Sequence, residues 1–112
     1  MIEATIINYI SEVVGIPAYA EQPDEPPEEF LLVEKTGSSL QNWIHTATIA
    51  IQSYADSMFR AAEINADVRT AMWGIDELEN IFACDLNSDY NFTDTTQKKY
   101  RYQAVFEITY HE

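Results

Sequence analysis

The sequence predicts an α+β fold: a mostly antiparallel or mixed sheet of four to five strands, with two helices packed on one face. Three features carry that expectation. From Trp43 to Gln52 the chain alternates, with Trp43, His45, Ala47, Ile49 and Ile51 on one side and Ile44, Thr46, Thr48, Ala50 and Gln52 on the other. That is the period of a strand with one apolar face. The period then changes: Met58, Ala61, Ile64, Val68, Ala71 and Met72 recur at three and four, forming one stripe of a helix. Near the end, Tyr100, Tyr102, Ala104, Phe106, Ile108 and Tyr110 alternate with Arg101, Gln103, Val105, Glu107, Thr109 and His111. A strand with one apolar face, running into a helix with one apolar stripe, must fold back on itself to bury both. The remaining elements extend that sheet or cover it.

Taken in order, the chain begins with a helix. Ile2, Ile6, Tyr9, Ile10 and Val13 share one face, Gly15 stops the helix, and Pro17 prevents its resumption. Ile16 to Ala20 reads as short and extended. Glu21 to Glu29, EQPDEPPEE, is rich in proline and acid and can neither bury a core nor hold a ladder. It reads as a solvated loop, or as an acidic surface offered to a partner. Phe30 to Lys35 is an apolar strand, and the turn residues of Thr36 to Gln41 join it in a hairpin to the strand from Trp43. Asp56 or Ser57 caps the second helix, and Gly74 ends it. After a polar connection from Asp76 to Asn80, Phe82, Cys84, Leu86, Tyr90 and Phe92 alternate with polar neighbours. The first half of that stretch is a strand and the second half strand or loop. Asp94 to Gln97 forms the turn into the last strand. Tyr102, Phe106, Ile108, Ile49 and Ile51 are expected in the core, with Ile6, Ile10, Ile64 and Val68 from the helices.

Length and charge bound the function. A chain of 112 residues is expected to be one domain. It carries 19 acids against 6 bases, a net charge of −13. Such a surface repels nucleic acid phosphates rather than binding them. No apolar run approaches the roughly 20 residues of a membrane span. The start, MIEATIINYI, lacks the basic and small-residue features of a signal peptide. A single cysteine, Cys84, cannot form an internal disulfide, which fits a reducing cytoplasm.

The candidate chemistry is sparse. Asp85, Asn87 and Asp89 begin like a calcium loop, but Tyr90 stands where its glycine belongs and Thr96 where its bidentate glutamate belongs. Asn91-Phe92-Thr93 is a formal glycosylation acceptor that a cytoplasmic protein would not use. His45, near a strand start, reads as a hydrogen-bonded structural histidine, and His111 as solvated. Cys84 falls on an apolar strand face with no cationic neighbour in sequence, so it reads as an inert thiol. No nucleophile elbow, phosphate-binding glycine loop or paired-cysteine motif appears. The expectation is a protein without catalysis, cofactor or required metal.

One charge feature stands out. Lys98, Lys99 and Arg101 are half of all the basic residues. They either neutralise nearby acids or form a patch for an acidic surface on another copy of the chain.

At this point a family resemblance is legible. FLLVEKTG (Phe30 to Gly37), ATIAIQSYA (Ala47 to Ala55), FRAAEINADVRTAM (Phe59 to Met72) and KKYRYQAVFEITYH (Lys98 to His111) resemble the tail terminator, or tail completion, proteins of long-tailed bacteriophages, of the lambda tail terminator type. The likeness covers the chain from about Pro17 onward, and Arg101 to Ile108, RYQAVFEI, is its most telling piece. It implies a small α+β domain that assembles as a homo-hexameric ring. It implies a structural virion protein that caps the tail tube, stops its growth and offers a surface to the head's connector. The implied partners are other copies of the chain, the tail tube protein and a head-completion or connector protein, in a virion assembled in the bacterial cytoplasm. DNA would pass through such a ring without specific binding, and an acidic lining would keep it from stalling. The acidic loop Glu21 to Glu29 departs from the family pattern.

A ring built head to tail needs two unlike side surfaces. The candidate subunit interface is therefore Lys98, Lys99 and Arg101 of one copy against Glu25, Glu28 or Glu29 of the next. Rival functions stand beside this one, among them an unrecognised small enzyme, for which nothing in the sequence supplies the convergent polar groups of a pocket. An acidic DNA mimic would inhibit a nucleic-acid-binding protein by presenting carboxylates at phosphate-like spacing. A related phage neck or head-completion protein would share the fold but not the place of assembly.

Overall fold

A computed structural model describes residues 1–97 and 99–112. Lys98 lies outside the described residues. The chain runs α1 (Ile2–Val14), β1 (Ala18–Tyr19), β2 (Phe30–Gln41), β3 (Ile44–Ala55), α2 (Met58–Trp73), a 3-10 turn (Ile75–Glu77), β4 (Ile81–Asn91) and β5 (Tyr100–Tyr110). The five strands form one sheet in the order β1-β2-β3-β5-β4. All neighbours are antiparallel except β1 and β2, which run parallel over Ala18–Leu31 and Tyr19–Leu32. The fold is the expected α+β class, with a mixed sheet and two helices.

Both helices form for the reasons their sequences suggest. Gly15 takes φ 78°, the left-handed conformation that closes α1, and its N–H donates to the Ser11 carbonyl at 3.0 Å. At the other helix the cap is Ser57 rather than Asp56: its hydroxyl accepts from the Arg60 N–H at 3.1 Å. Ile2, Ile6 and Ile10 of α1 are buried, with Ala61, Ile64, Val68, Ala71 and Met72 of α2. They meet Leu31, Val33, Ala47, Ile49, Ile51, Phe106 and Ile108 on one face of the sheet. Val13, expected on the buried face of α1, is exposed, while Val14, the last residue of the helix, packs partly against the core. Tyr102 is half-buried; it pairs with Ser53 and Asn91 near the end of the sheet where α2 begins.

Two local readings give way to backbone irregularities. The segment Thr36 to Gln41 does not turn. A register shift between Lys35 and Gly37 absorbs one residue, and β2 then pairs with β3 as far as Gln41–Ile44. The reversal is Asn42–Trp43, with φ 52° and 67°, the pair of positive values that a two-residue type I′ hairpin requires. In β4, shifts between Ile81 and Ala83 and between Leu86 and Ser88 break the simple alternation. Phe82 is pushed out to solvent, and Tyr90 and Asp89 exchange the faces that a period of two assigns them.

The second face of the sheet is half covered. Phe30 stacks on Tyr54 with centroids 4.4 Å apart, and Leu32 and Tyr19 complete a small cluster there. On the helix face, the fully buried Ser53 keeps a hydroxyl without a partner among the described residues. A buried unmade hydrogen bond costs stability. Ser53→Ala is therefore expected to raise the unfolding free energy by about 0.5–1 kcal/mol, read from urea denaturation midpoints. A loss of stability would show that the hydroxyl has a partner.

Candidate subunit interface

The sheet has two unlike sides. On one, β1 covers β2 only at Leu31 and Leu32, so the outer edge of β2 from Val33 to Gln41 meets no strand among the described residues. On the other, β4 is the terminal strand along its whole length. Both edges present backbone groups of the kind that seed strand or side-chain contacts with another chain. The acidic loop leaves and rejoins the sheet on the β2 side, between β1 and β2. The β4–β5 turn, with Lys99 at its base, lies on the other side. The register Phe30–Tyr54–Arg101 places both features at the same end of the sheet.

The candidate interface residues fare differently. Glu25 and Glu28 are exposed. Lys99 is also exposed, and its backbone pairs with Asp94 through two 3.1 Å bonds. Glu29 already has a partner within the chain. The Arg60 guanidinium donates to both its oxygens, at 2.6 and 3.1 Å, and this hydrogen bonding holds the Glu29 carboxyl below its ordinary value. Arg101 is engaged too. It donates to the Phe92 carbonyl at 2.6 Å and to the Tyr54 hydroxyl at 2.9 Å, with its guanidinium 4.4 Å from the Phe92 ring centre. The structure thus leaves Lys99, Glu25 and Glu28 facing solvent, while Glu29 and Arg101 hold the fold's own end together.

Arg101 also starts a hydrogen-bond chain that sequence reading did not single out. Arg101 donates to Tyr54, Tyr54 to Gln52 at 2.9 Å, Gln52 to Gln103 at 2.8 Å, and Gln103 to Tyr90. Beside it, Thr48 donates to Glu107 at 3.0 Å. Polar side chains at matched positions of β3, β5 and β4 therefore satisfy one another across the open face. The alternation gave the face of Gln52 and Gln103 but not that of Tyr90, and it gave none of their pairing, which needs the strand order.

On the helix side, α2 and β4 diverge to leave a groove of about 670 Å³. Met72, Trp73, Cys84, Leu86 and Phe106 supply its apolar lining and Arg69 and Asp76 its charged side chains, while Asp85 borders it from a position that belongs to the open face. Arg69 sits 3.1 Å from Asp89, which also accepts from Asn65 at 2.9 Å. Burial pushes the Cys84 thiol up to about 12, with the charges of Asp85 and Asp76 adding to the effect, so it is a poor nucleophile.

The partial calcium pattern lies in a strand. Asp85 pairs opposite Glu107 on the open face, and Asp89 opposite Ala104 on the helix face, so the two carboxylates diverge. Among the described residues, no group of three His, Cys, Asp or Glu side chains is placed to hold a metal ion. His45 stacks on Tyr110 with centroids 5.1 Å apart, its expected side-chain hydrogen bond finding no partner among the described residues, and His111 lies over Phe82. No helix among the described residues is long and apolar enough to cross a membrane.

Fold and surface define a class: a small α+β domain with one helix-covered face, one self-satisfied polar face and two unlike open edges. No family model matches the chain, and no curated protein matches it either.

Proposed function

We propose that this chain is a structural ring subunit of the tail terminator type, which caps the tail tube of a long-tailed phage and presents a surface for head joining. The observation that carries the reading is the pair of unlike open sides at matching levels. A head-to-tail ring sets the β4 side of one copy against the β2 side of the next. With all copies upright, Lys99 then meets Glu25 and Glu28 of the neighbour at the same end. The segments that resemble the terminator proteins, Phe30 to Gly37, Ala47 to Ala55, Phe59 to Met72 and Lys98 to His111, supply β2, β3, α2 and β5, the body of the domain. The net charge of −13 suits a passage through which DNA slides.

The test is reconstitution with a tail tube protein. Adding the chain to growing tubes is expected to end elongation and place a hexameric ring at the tip, seen by electron microscopy. Lys99→Glu should leave the monomer folded, prevent the ring and give tubes of uncontrolled length. Glu25→Lys with Glu28→Lys in that background should restore part of the assembly. Normal rings with Lys99→Glu would remove this contact from the interface. A chain that stays monomeric on tube ends would remove the terminator reading.

A further inference from the structure

We propose that the Trp43 side chain of one copy seats in the α2–β4 groove of the next copy and anchors the joint between subunits. This rests on the ring reading above and says which surfaces close the ring. The first observation is where Trp43 stands. It is the second residue of a two-residue hairpin turn, at φ 67°, and 88% of it is exposed. A bulky side chain rarely occupies the left-handed region, and glycine is the preferred residue at that place in such a turn. The fold thus accepts an unfavourable backbone to hold an indole in water, with Leu40 and Ile44 exposed around it. Strain of that kind points to use rather than to stability.

The second observation is charge. Lys35 to Ala55, which makes most of the hairpin, is the longest stretch of the chain without a carboxylate. The groove carries a carboxylate by contrast. Arg69 is taken by Asp89, which leaves Asp76, exposed on the lining, without a cation beside it among the described residues. An arm free of carboxylates can approach another copy without meeting carboxylate with carboxylate. The indole N–H is a donor only, and Asp76, exposed on the lining, is an acceptor of the right kind.

The third observation is position. Trp43 lies at the end of the β2–β3 hairpin, where His45 pairs with Tyr110 and Tyr110 with Ile81. The groove opens beside the first half of β4, toward that same end of the sheet. The arm belongs to the β2 side and the groove to the β4 side. A head-to-tail ring of upright copies brings these two together at one level while Lys99 meets the acidic loop at the other. Its volume of about 670 Å³ lies within the roughly 300–1,000 Å³ of sites that enclose a small molecule, ample for an indole.

Trp43→Gly separates anchoring from folding, because asparagine followed by glycine is the pair a type I′ turn prefers, and Asn42 is already in place. The variant is expected to melt at the parent's temperature or above it, yet to sediment as a monomer where the parent forms rings. Leu86→Glu, which places a charge in the groove, should lose assembly in the same way. An equimolar mixture of the two variants should give a dimer and nothing larger. In it the intact groove of one meets the intact Trp43 of the other, and the remaining pair of surfaces is defective. Rings formed by Trp43→Gly, or a mixture that stays monomeric, would overturn the anchor while the parent's own ring leaves the terminator reading standing. A parent that forms no ring, alone or on tube ends, would overturn both.

Discussion

Phe106→Ala is expected to lower the unfolding free energy by about 3–5 kcal/mol, the range for truncating a buried aromatic ring. Phe106 is 2% exposed and sits mid-strand in β5, opposite Ile49 of β3 and Leu86 of β4, with α2 above it. Alanine removes the ring that joins sheet to helix and deepens the neighbouring groove, so water rather than repacking fills part of the space. A small domain holds only about 5–15 kcal/mol in all, so the variant should sit close to unfolding at growth temperature. The control is Val105→Ala, one residue earlier on the open face and half-buried, which is expected to cost about 1 kcal/mol or less. Urea titrations of both variants, with unchanged m-values, measure the difference. Equal costs, or a larger cost at Val105, would mean that β5 turns its other face to the helices.

That face was readable from sequence because β5 carries an unbroken alternation, and β3 carries one from Trp43 to Gln52, although Ala50, Gln52 and Tyr54 on the other face of β3 are buried as well. In β5 the regular backbone transmits its period directly into burial. The same logic served α2, whose stripe of Ala61, Ile64, Val68 and Met72 is fully or nearly fully buried. It failed in β4, where two bulges each insert a residue against β5. A bulge is a property of the pairing between two strands, and nothing in IFACDLNSDYN alone announces it. The hairpin turn was misplaced for a related reason. TGSSLQ has the residues of a turn, while the actual turn uses Trp43 at a position where a glycine would have signalled it.

The interface residues show the same limit in electrostatic form. Sequence marked Glu29 and Arg101 as charges in search of partners. The fold gives Glu29 to Arg60 across 31 positions and Arg101 to Tyr54 across 47. Which charges remain for a neighbour depends on contacts between distant segments. The surviving set, Lys99 with Glu25 and Glu28, follows once those contacts are subtracted. The groove was invisible for the same reason, since α2, β4 and β5 each contribute one wall.

The second large effect is expected at Asn65. This residue is 2% exposed in the middle of α2, and its side-chain amide donates to Asp89 at 2.9 Å. Its carbonyl oxygen has no partner among the described residues. Asn65→Asp keeps the shape, removes the donor and sets a second carboxylate against the first. Arg69, at 3.1 Å from Asp89 and 45% exposed, offsets only part of the repulsion. At neutral pH the cost should approach the roughly 3–5 kcal/mol of an uncompensated buried charge.

Its pH dependence carries a definite sign. Two carboxyls so placed favour keeping one proton between them, which raises the folded-state affinity above that of an unfolded aspartate, near about 3.9. The folded variant then binds more protons than its unfolded chain as pH rises through and above that value. Its stability relative to the parent must fall over that window and recover in acid. In acid the introduced carboxyl, once protonated, can again donate to Asp89. Asn65→Ala gives the comparison: it loses the hydrogen bond, costs about 1–3 kcal/mol, and introduces no second carboxyl group. Thermal or urea unfolding of parent and both variants from pH 4 to pH 8 separates the two. If Asn65→Asp costs no more than Asn65→Ala at pH 7 and shows no recovery at pH 4, the two side chains do not meet in the folded protein as described.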